Sequence, residues 1–158
     1  MRITYDKVSP EYLYPLNSKS DFDFFRNEIQ KHVLDKIRLV RFGCNWKTTQ
    51  EARLVQRGEC FDIRINFCLK NYRSPILSDK KDWSNTIEKF GGVLDLSSNT
   101  VEWSLANSKR YSMFLIFHEV GHIAYCIKHF GGEITNKKGS SSEERWCESY
   151  ALDAINKI

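Results

Sequence analysis

The stretch FHEVGHIAYC, residues 117–126, decides how the rest of the chain is read. His118 and His122 bracket Glu119 in the most apolar part of the sequence, directly after Phe-Leu-Ile at 114–116 and Phe117. The run YSMFLIFHEVGHIAYCI has the apolar density of a buried helix. On a helix, residues four apart stand on one face, about 6 Å apart along the axis. Two imidazoles so placed can share one zinc ion at about 2.0–2.1 Å. Glu119 then lies beside the ion without binding it, where it can take a proton from activated water. The plain alternative is a pair of core histidines satisfied by hydrogen bonds. Glu119 weighs against it, because a carboxylate buried without a partner is costly. Gly121 adds a second signal. Glycine in a helix costs about 1 kcal/mol relative to alanine, so a neighbouring strand or a substrate is expected to approach the backbone there.

The 158 residues suffice for one domain with its own core. With 41% apolar and 13% aromatic residues, the composition is globular. No apolar run approaches the roughly 20 residues that span a bilayer, and the first 21 residues lack the apolar segment of a signal peptide. A cytoplasmic protein with no membrane partner is the expectation. The five cysteines (44, 60, 68, 126, 147) are odd in number and scattered, with no C-x-x-C. They fit neither a disulfide framework nor a zinc ribbon, and are expected as reduced thiols. The net charge of +4 comes from Lys and Arg spread along the chain. A solvated surface is the expected outcome, with direct nucleic-acid binding left open by the sign of the charge but not favoured.

All three prolines (10, 15 and 75) lie in the first half, and residues 1–20 read as an irregular arm. A helix is expected from Ser20, capped by Ser20 or Asp21, with Phe22, Phe25, Ile29 and Val33 on one face. IRLVRF at 37–42 reads as a strand. The segment from Glu51 to Lys70 reads as a hairpin turning near Arg57-Gly58-Glu59. Its second arm places Phe61, Ile63, Ile65, Phe67 and Leu69 on a buried face and Asp62, Arg64 and Asn66 on the other. Residues 71–92 read as a loop or short helix closed by Gly91-Gly92, and 93–104 as a small hairpin around Ser97–Thr100. From Ser104 the pattern is helical, apart from a loop at 130–142. The order implies a single α+β domain over 1–158: a small mixed or antiparallel sheet packed on the motif helix, with both site-bearing helices within 108–158.

A catalytic zinc needs a third protein ligand and one open position. SSSEERWCESYALDAINKI, residues 140–158, reads as a helix opened by serine caps. Glu144 and Glu148 share a face with Cys147, Ala151 and Ile155, which should be buried, and buried carboxylates need partners. A metal ligand and an acceptor behind a histidine would supply them. His129, seven residues past His122, is a rival third ligand, but on an unbroken helix it stands about 10 Å too far along the axis. Cys60 or Cys68 would suit a deformylase-like site, whose accompanying motifs are absent.

RYSMFLIFHEVGHIA, followed after a loop by ERWCESYA, resembles the ImmA/IrrE-like metallopeptidases. Their signature is an apolar helix with H-E-x-G-H and then a helix with E-x-E-A-N/D-x-F-A. The likeness covers about the last fifty residues. It implies a zincin-like fold of the gluzincin type, with His118 and His122 as zinc ligands, Glu119 as catalytic base and Glu144 as third ligand. Glu148 stands where the family has the Asn or Asp that steadies a histidine from behind. Trp146 and Cys147 depart from the family's Glu-Ala.

The resemblance further implies a zinc-dependent peptidase cutting a protein or peptide substrate, often a DNA-binding repressor. No helix-turn-helix is evident, so a repressor would be a separate protein. A silent zinc-stabilised binding module and a SprT-like protease using His129 are the alternative readings. Retention of Glu119 speaks against the first. Tyr125 and His129 are candidates for stabilising the oxyanion by their position on the helix alone.

Overall fold

The computed structural model of the chain describes residues 1–46, 51–76, 81–132 and 140–158, the side chains of 81–83 excepted. Its elements, in order, are β1 (Arg2–Tyr5), β2 (Tyr12–Leu13), α1 (Ser20–Glu28), α2 (Lys31–Leu34), β3 (Ile37–Gly43), β4 (Ala52–Arg57), β5 (Cys60–Asn66), β6 (Leu69–Lys70), β7 (Arg73–Pro75), α3 (Lys81–Lys89), β8 (Val93–Asp95), β9 (Thr100–Glu102), α4 (Leu105–Phe130) and α5 (Ser141–Asn156). The class is α+β, with two small sheets.

The first sheet is mixed, in the order β1-β3-β5-β4, with β1, β3 and β5 parallel and β4 antiparallel to β5. The β4–β5 hairpin turns at Gly58, whose φ of 62° lies in the left-handed region. The alternation along β5 holds through Ile65, but the strand ends at Asn66, earlier than the apolar pattern suggests. Asn66 turns its amide onto the backbone of Asn45, at 2.7 and 2.9 Å. Phe67 and Leu69 then leave for the second sheet, an antiparallel array in the order β2-β6-β7-β9-β8. Residues 1–20 are not an irregular arm. Arg2–Tyr5 pairs parallel to Leu39–Phe42, and Tyr12–Leu13 pairs with Leu69–Lys70. The partner strands are far off in sequence, and no local signal announces such pairing.

The Phe22, Phe25, Ile29 and Val33 face is buried as its spacing implies, but on two helices, because Ile29 is extended (φ −90°, ψ 126°) between α1 and α2. The start of α1 is closed by Ser18 and Asp21: the Asp21 carboxylate accepts from Ser18 N–H at 2.9 Å, and Ser18 Oγ accepts from Asp21 N–H at 3.3 Å. Ser104 caps α4 through Asn107 N–H, and Gly131 (φ 63°) ends it. Helix α4 is the centre of the molecule, buried continuously from Tyr111 to Gly121. Phe25 packs on Phe117, Phe90 on Phe114, and Phe67 and Trp103 on Tyr111. A helix apolar on every side must be enclosed on every side. Among the described residues no helix is long and apolar enough to cross a membrane.

The expectation of reduced thiols fails for two cysteines. Cys44 and Cys68 form a disulfide, with Cα atoms 5.4 Å apart. The β3–β5 register sets Gly43 opposite Asn66, which carries the flanking cysteines together across 24 residues of chain. Cys60, Cys126 and Cys147 remain thiols.

Candidate metal centre

The i, i+4 spacing on α4 puts the His118 and His122 rings 5.0 Å apart, edge to face. The first turn of α5 lies across them. His118 Nε2 is 3.1 Å from Glu144 Oε2, and His122 Nε2 is 3.4 Å from Glu144 Oε1. Donors each about 2.0–2.2 Å from one tetrahedral ion stand about 3.4 Å apart, so the spacing of these pairs is that of a ligand set. His118, His122 and Glu144 together form a group able to hold a metal ion. The donors, two imidazoles and a carboxylate, are the ligand types zinc takes at catalytic sites.

Behind His122 a second acid completes the arrangement. Glu143 Oε1 lies 2.8 Å from His122 Nδ1, the geometry of an imidazole N–H donating to a carboxylate. With Nδ1 committed to Glu143, Nε2 is the nitrogen that faces Glu144 and would bind an ion on giving up its proton. Burial on its own would lower the His122 pKa. Hydrogen bonds to Cys147, Glu144 and Glu143 outweigh it and raise the pKa to about 11. Glu144 is held well below the usual carboxylate range, chiefly by His118 and then His122. Cys147 is pushed up by burial, so it stands as a thiol. His122, Glu143 and Cys147 form a second metal-capable group, on the Nδ1 side of the same ring. The first group opens onto a cavity; in the second, Cys147 is sealed between the helices at 0% exposure.

That cavity, about 180 Å³, is lined by Glu51, Ala52, Leu115 and Glu119 together with the three donors. Glu119 is therefore beside the donor set and buried to 7% exposure, without belonging to it. Glu51, the residue before β4, lines the same cavity. It too is buried, and it accepts a hydrogen bond from Tyr111 O–H at the base of α4. Nothing in the local pattern around Glu51 marks it. The one sequence hint for Glu143 is its spacing of four from Cys147, which puts both on one face of α5; that this face turns to α4 is visible only in the fold.

Other residues singled out by sequence lie apart from the donors. Among the described contacts, Glu148 makes no hydrogen bond to His118 or His122. It stands more than a turn further along α5, and Glu143 is the acid on His122 instead. His129 stays two turns beyond His122 because α4 is unbroken to Phe130, so the helix break that it would need to reach the site is absent. Its ring packs at a tilt on Tyr125, 4.2 Å between centroids, and Tyr125 meets Trp146 of α5 edge-on; neither lines the cavity. Cys60 and Cys68 are in neither metal-capable group. The neighbour at Gly121 is a helix, not a strand or a substrate: a Cβ there would stand 3.1 Å from Cys147 Cα and 3.2 Å from its Cβ. No family model, curated protein or solved structure matches this chain.

Proposed function

We propose that the protein is a zinc-dependent peptidase. The observation that carries the reading is the convergence of His118 Nε2, His122 Nε2 and Glu144 in a cavity that also holds a non-ligating acid, Glu119. His118, His122 and Glu144 would hold the ion, and Glu143 would orient His122. Zinc, when bound, supplies Lewis acidity for activating water and a peptide carbonyl. Glu119 would accept the proton of the attacking water and deliver it to the leaving amine. A site serving structure alone has four protein ligands and no use for such a base. The fold would be of the zincin type, as the resemblance to ImmA/IrrE-like enzymes implies.

The surroundings favour an extended peptide over a small molecule. Strand β4 is the terminal strand of its sheet, and Ala52 at its start lines the cavity opposite the histidines. An extended chain adding to that edge by main-chain hydrogen bonds would carry its carbonyls past the donor set. A protein or peptide substrate, such as a DNA-binding repressor, is the class this suits.

Metal analysis and proteolysis test the reading together. Wild type and Glu119→Gln should each bind one zinc, while His122→Ala should bind none. Turnover should fall about 100- to 10,000-fold in Glu119→Gln, measured on fragments that appear when wild type is incubated with host-cell protein. Equal fragment yields from wild type and Glu119→Gln would end the peptidase proposal.

A further inference from the structure

The first sheet has two faces with opposite chemistry. Val40, Phe42, Ile63 and Ile65 point inward and are buried in the core. The residues between them point outward, and the strand registers line their arginines up. Arg41 of β3 is paired with Arg64 of β5, and Arg64 with Arg53 of β4. Neighbouring strands lie about 4.8 Å apart, so three guanidinium groups issue from one row about 10 Å wide. Like charges directly opposite one another destabilise a sheet. Arg41 is engaged by Asp6 at 2.8 Å. Arg53 and Arg64 make no ion pair among the described residues.

The row is the centre of a wider field. Arg2, Arg38 and Arg57 lie on the same strands, and the one acid in those strands, Asp62, is taken up by Arg38 at 2.5 Å and Arg57 at 3.5 Å. Six arginines against one aspartate leave these strands at +5, where the whole chain nets +4. The positive excess that looks dispersed along the chain is thus gathered on one sheet. It borders a hollow of about 450 Å³ whose charged lining is Lys7, Arg41, Arg53 and Arg64 with one acid, Asp6. The metal-capable cavity involves the opposite, inner side of the same strands, so the two surfaces can be occupied at once.

We infer that this outer face binds the phosphate backbone of double-stranded nucleic acid. A linear row of guanidinium groups, two of which, Arg53 and Arg64, make no ion pair among the described residues, matches a ligand with repeating anions, and arginine is the side chain suited to phosphate. No aromatic residue alternates into the outward positions of β3, β5 and β4, so the face has no platform for stacking single-stranded bases. It also lacks the apolar side chains that anchor a protein in a lipid surface: its only outward aliphatic residues, Leu39 and Val55, are partly buried. The contacts would be to phosphate and therefore blind to sequence.

Fluorescence anisotropy of the full chain with a 20-base-pair DNA duplex, and with the matching RNA duplex, tests this between 50 and 200 mM NaCl. Three phosphate contacts give a slope of log K against log salt of about −2.7, and Arg53→Gln/Arg64→Gln should reduce it to about −1. Affinity at 100 mM salt should fall at least about tenfold. Lys70→Gln, on the other sheet, should leave binding unchanged. Removal of opposed like charges should keep the melting temperature of the double variant at or above that of wild type, so a loss of binding cannot be assigned to unfolding. Binding of either duplex with these properties supports the inference, and the preferred duplex names the source of the phosphates. No duplex binding at 50 mM salt, or binding indifferent to the double variant, overturns it. Binding to vesicles of anionic phospholipid with none to duplex overturns it in favour of a membrane surface.

Discussion

Exchanging Glu143 for Gln tests the site's architecture more sharply than removing a ligand. The carboxylate sits 2.8 Å from His122 Nδ1, and the amide keeps the size and an acceptor oxygen but loses the charge. Loss of such a partner costs about 10- to 100-fold in metal affinity, or roughly 1.4–2.7 kcal/mol. The readout is thermal. Free zinc at 100 times the wild-type Kd stabilises the fold by about 2.7 kcal/mol. A chain of 158 residues has an unfolding entropy near 0.33 kcal/mol/K, so each kcal/mol is worth about 3 °C. Zinc should therefore raise the melting temperature of wild type by about 8 °C. At the same free zinc, Glu143→Gln should gain only about 1–4 °C, since its ratio of zinc to Kd has dropped to between about 1 and 10. Glu148→Gln should gain the full increment. Competition with a chromophoric chelator gives the affinities directly. A Glu148→Gln variant that loses zinc while Glu143→Gln keeps it would refute the assignment of Glu143 and restore the one that the sequence motif implies.

Breaking the Cys44–Cys68 disulfide, which closes a loop across 24 residues, should cost about 3.5 kcal/mol and lower the melting temperature by about 10 °C. Dithiothreitol should do this to wild type and nothing to Cys44→Ser, and a melting temperature indifferent to reductant would contradict the link. Arg38, its first and largest influence, holds the Asp62 carboxyl below the usual range against the opposing effect of burial. The stabilisation is therefore present above the unfolded value of about 3.9 and lost as pH falls through the lower folded value. Asp62→Asn should be about 1–3 kcal/mol less stable than wild type at pH 7, with the gap closing on acidification; urea titrations from pH 7 to 2 that show a constant gap would sink the argument. Gly121→Ala gains about 1 kcal/mol of helix propensity but meets the backbone of Cys147 at 3.1 Å, an overpacking cost of about 1–3 kcal/mol. Net destabilisation of up to about 2 kcal/mol is expected, and a stabilised variant in the same titrations would show that α5 gives way freely.

The helix carrying His118, Glu119 and His122 was legible because everything that defines it is local: an apolar run, a serine before it and a glycine after it. The α5 start was legible for the same reason, since Ser140 caps Glu143 N–H at 3.2 Å. What the capping pattern hid was the destination of the Glu143 side chain. A residue that fits a helix start reads as a surface acid, and only the crossing of α5 over Gly121 turns it onto His122. Parallel pairing hid β1, because its partner β3 begins more than thirty residues later and leaves no turn signal. The Cys44–Cys68 bond, the approach of Glu51 to the cavity and the alignment of Arg41, Arg64 and Arg53 are hidden alike: each depends on a strand register, which no short window of sequence contains.

The two helices that meet at the metal-capable site differ in how firmly they are held, and that difference bears on exchange kinetics. His118 and His122 belong to the element enclosed on every side, whose amides should be among the last in the molecule to trade hydrogen with solvent. Glu144 sits in the first turn of α5, with its side chain 49% exposed. An ion bound between them would rest on two anchored donors and one arm able to swing away while the fold stays closed. Its entry and escape would then be gated by the Glu144 arm, at rates set by fraying of a single helical turn and not by opening of the core.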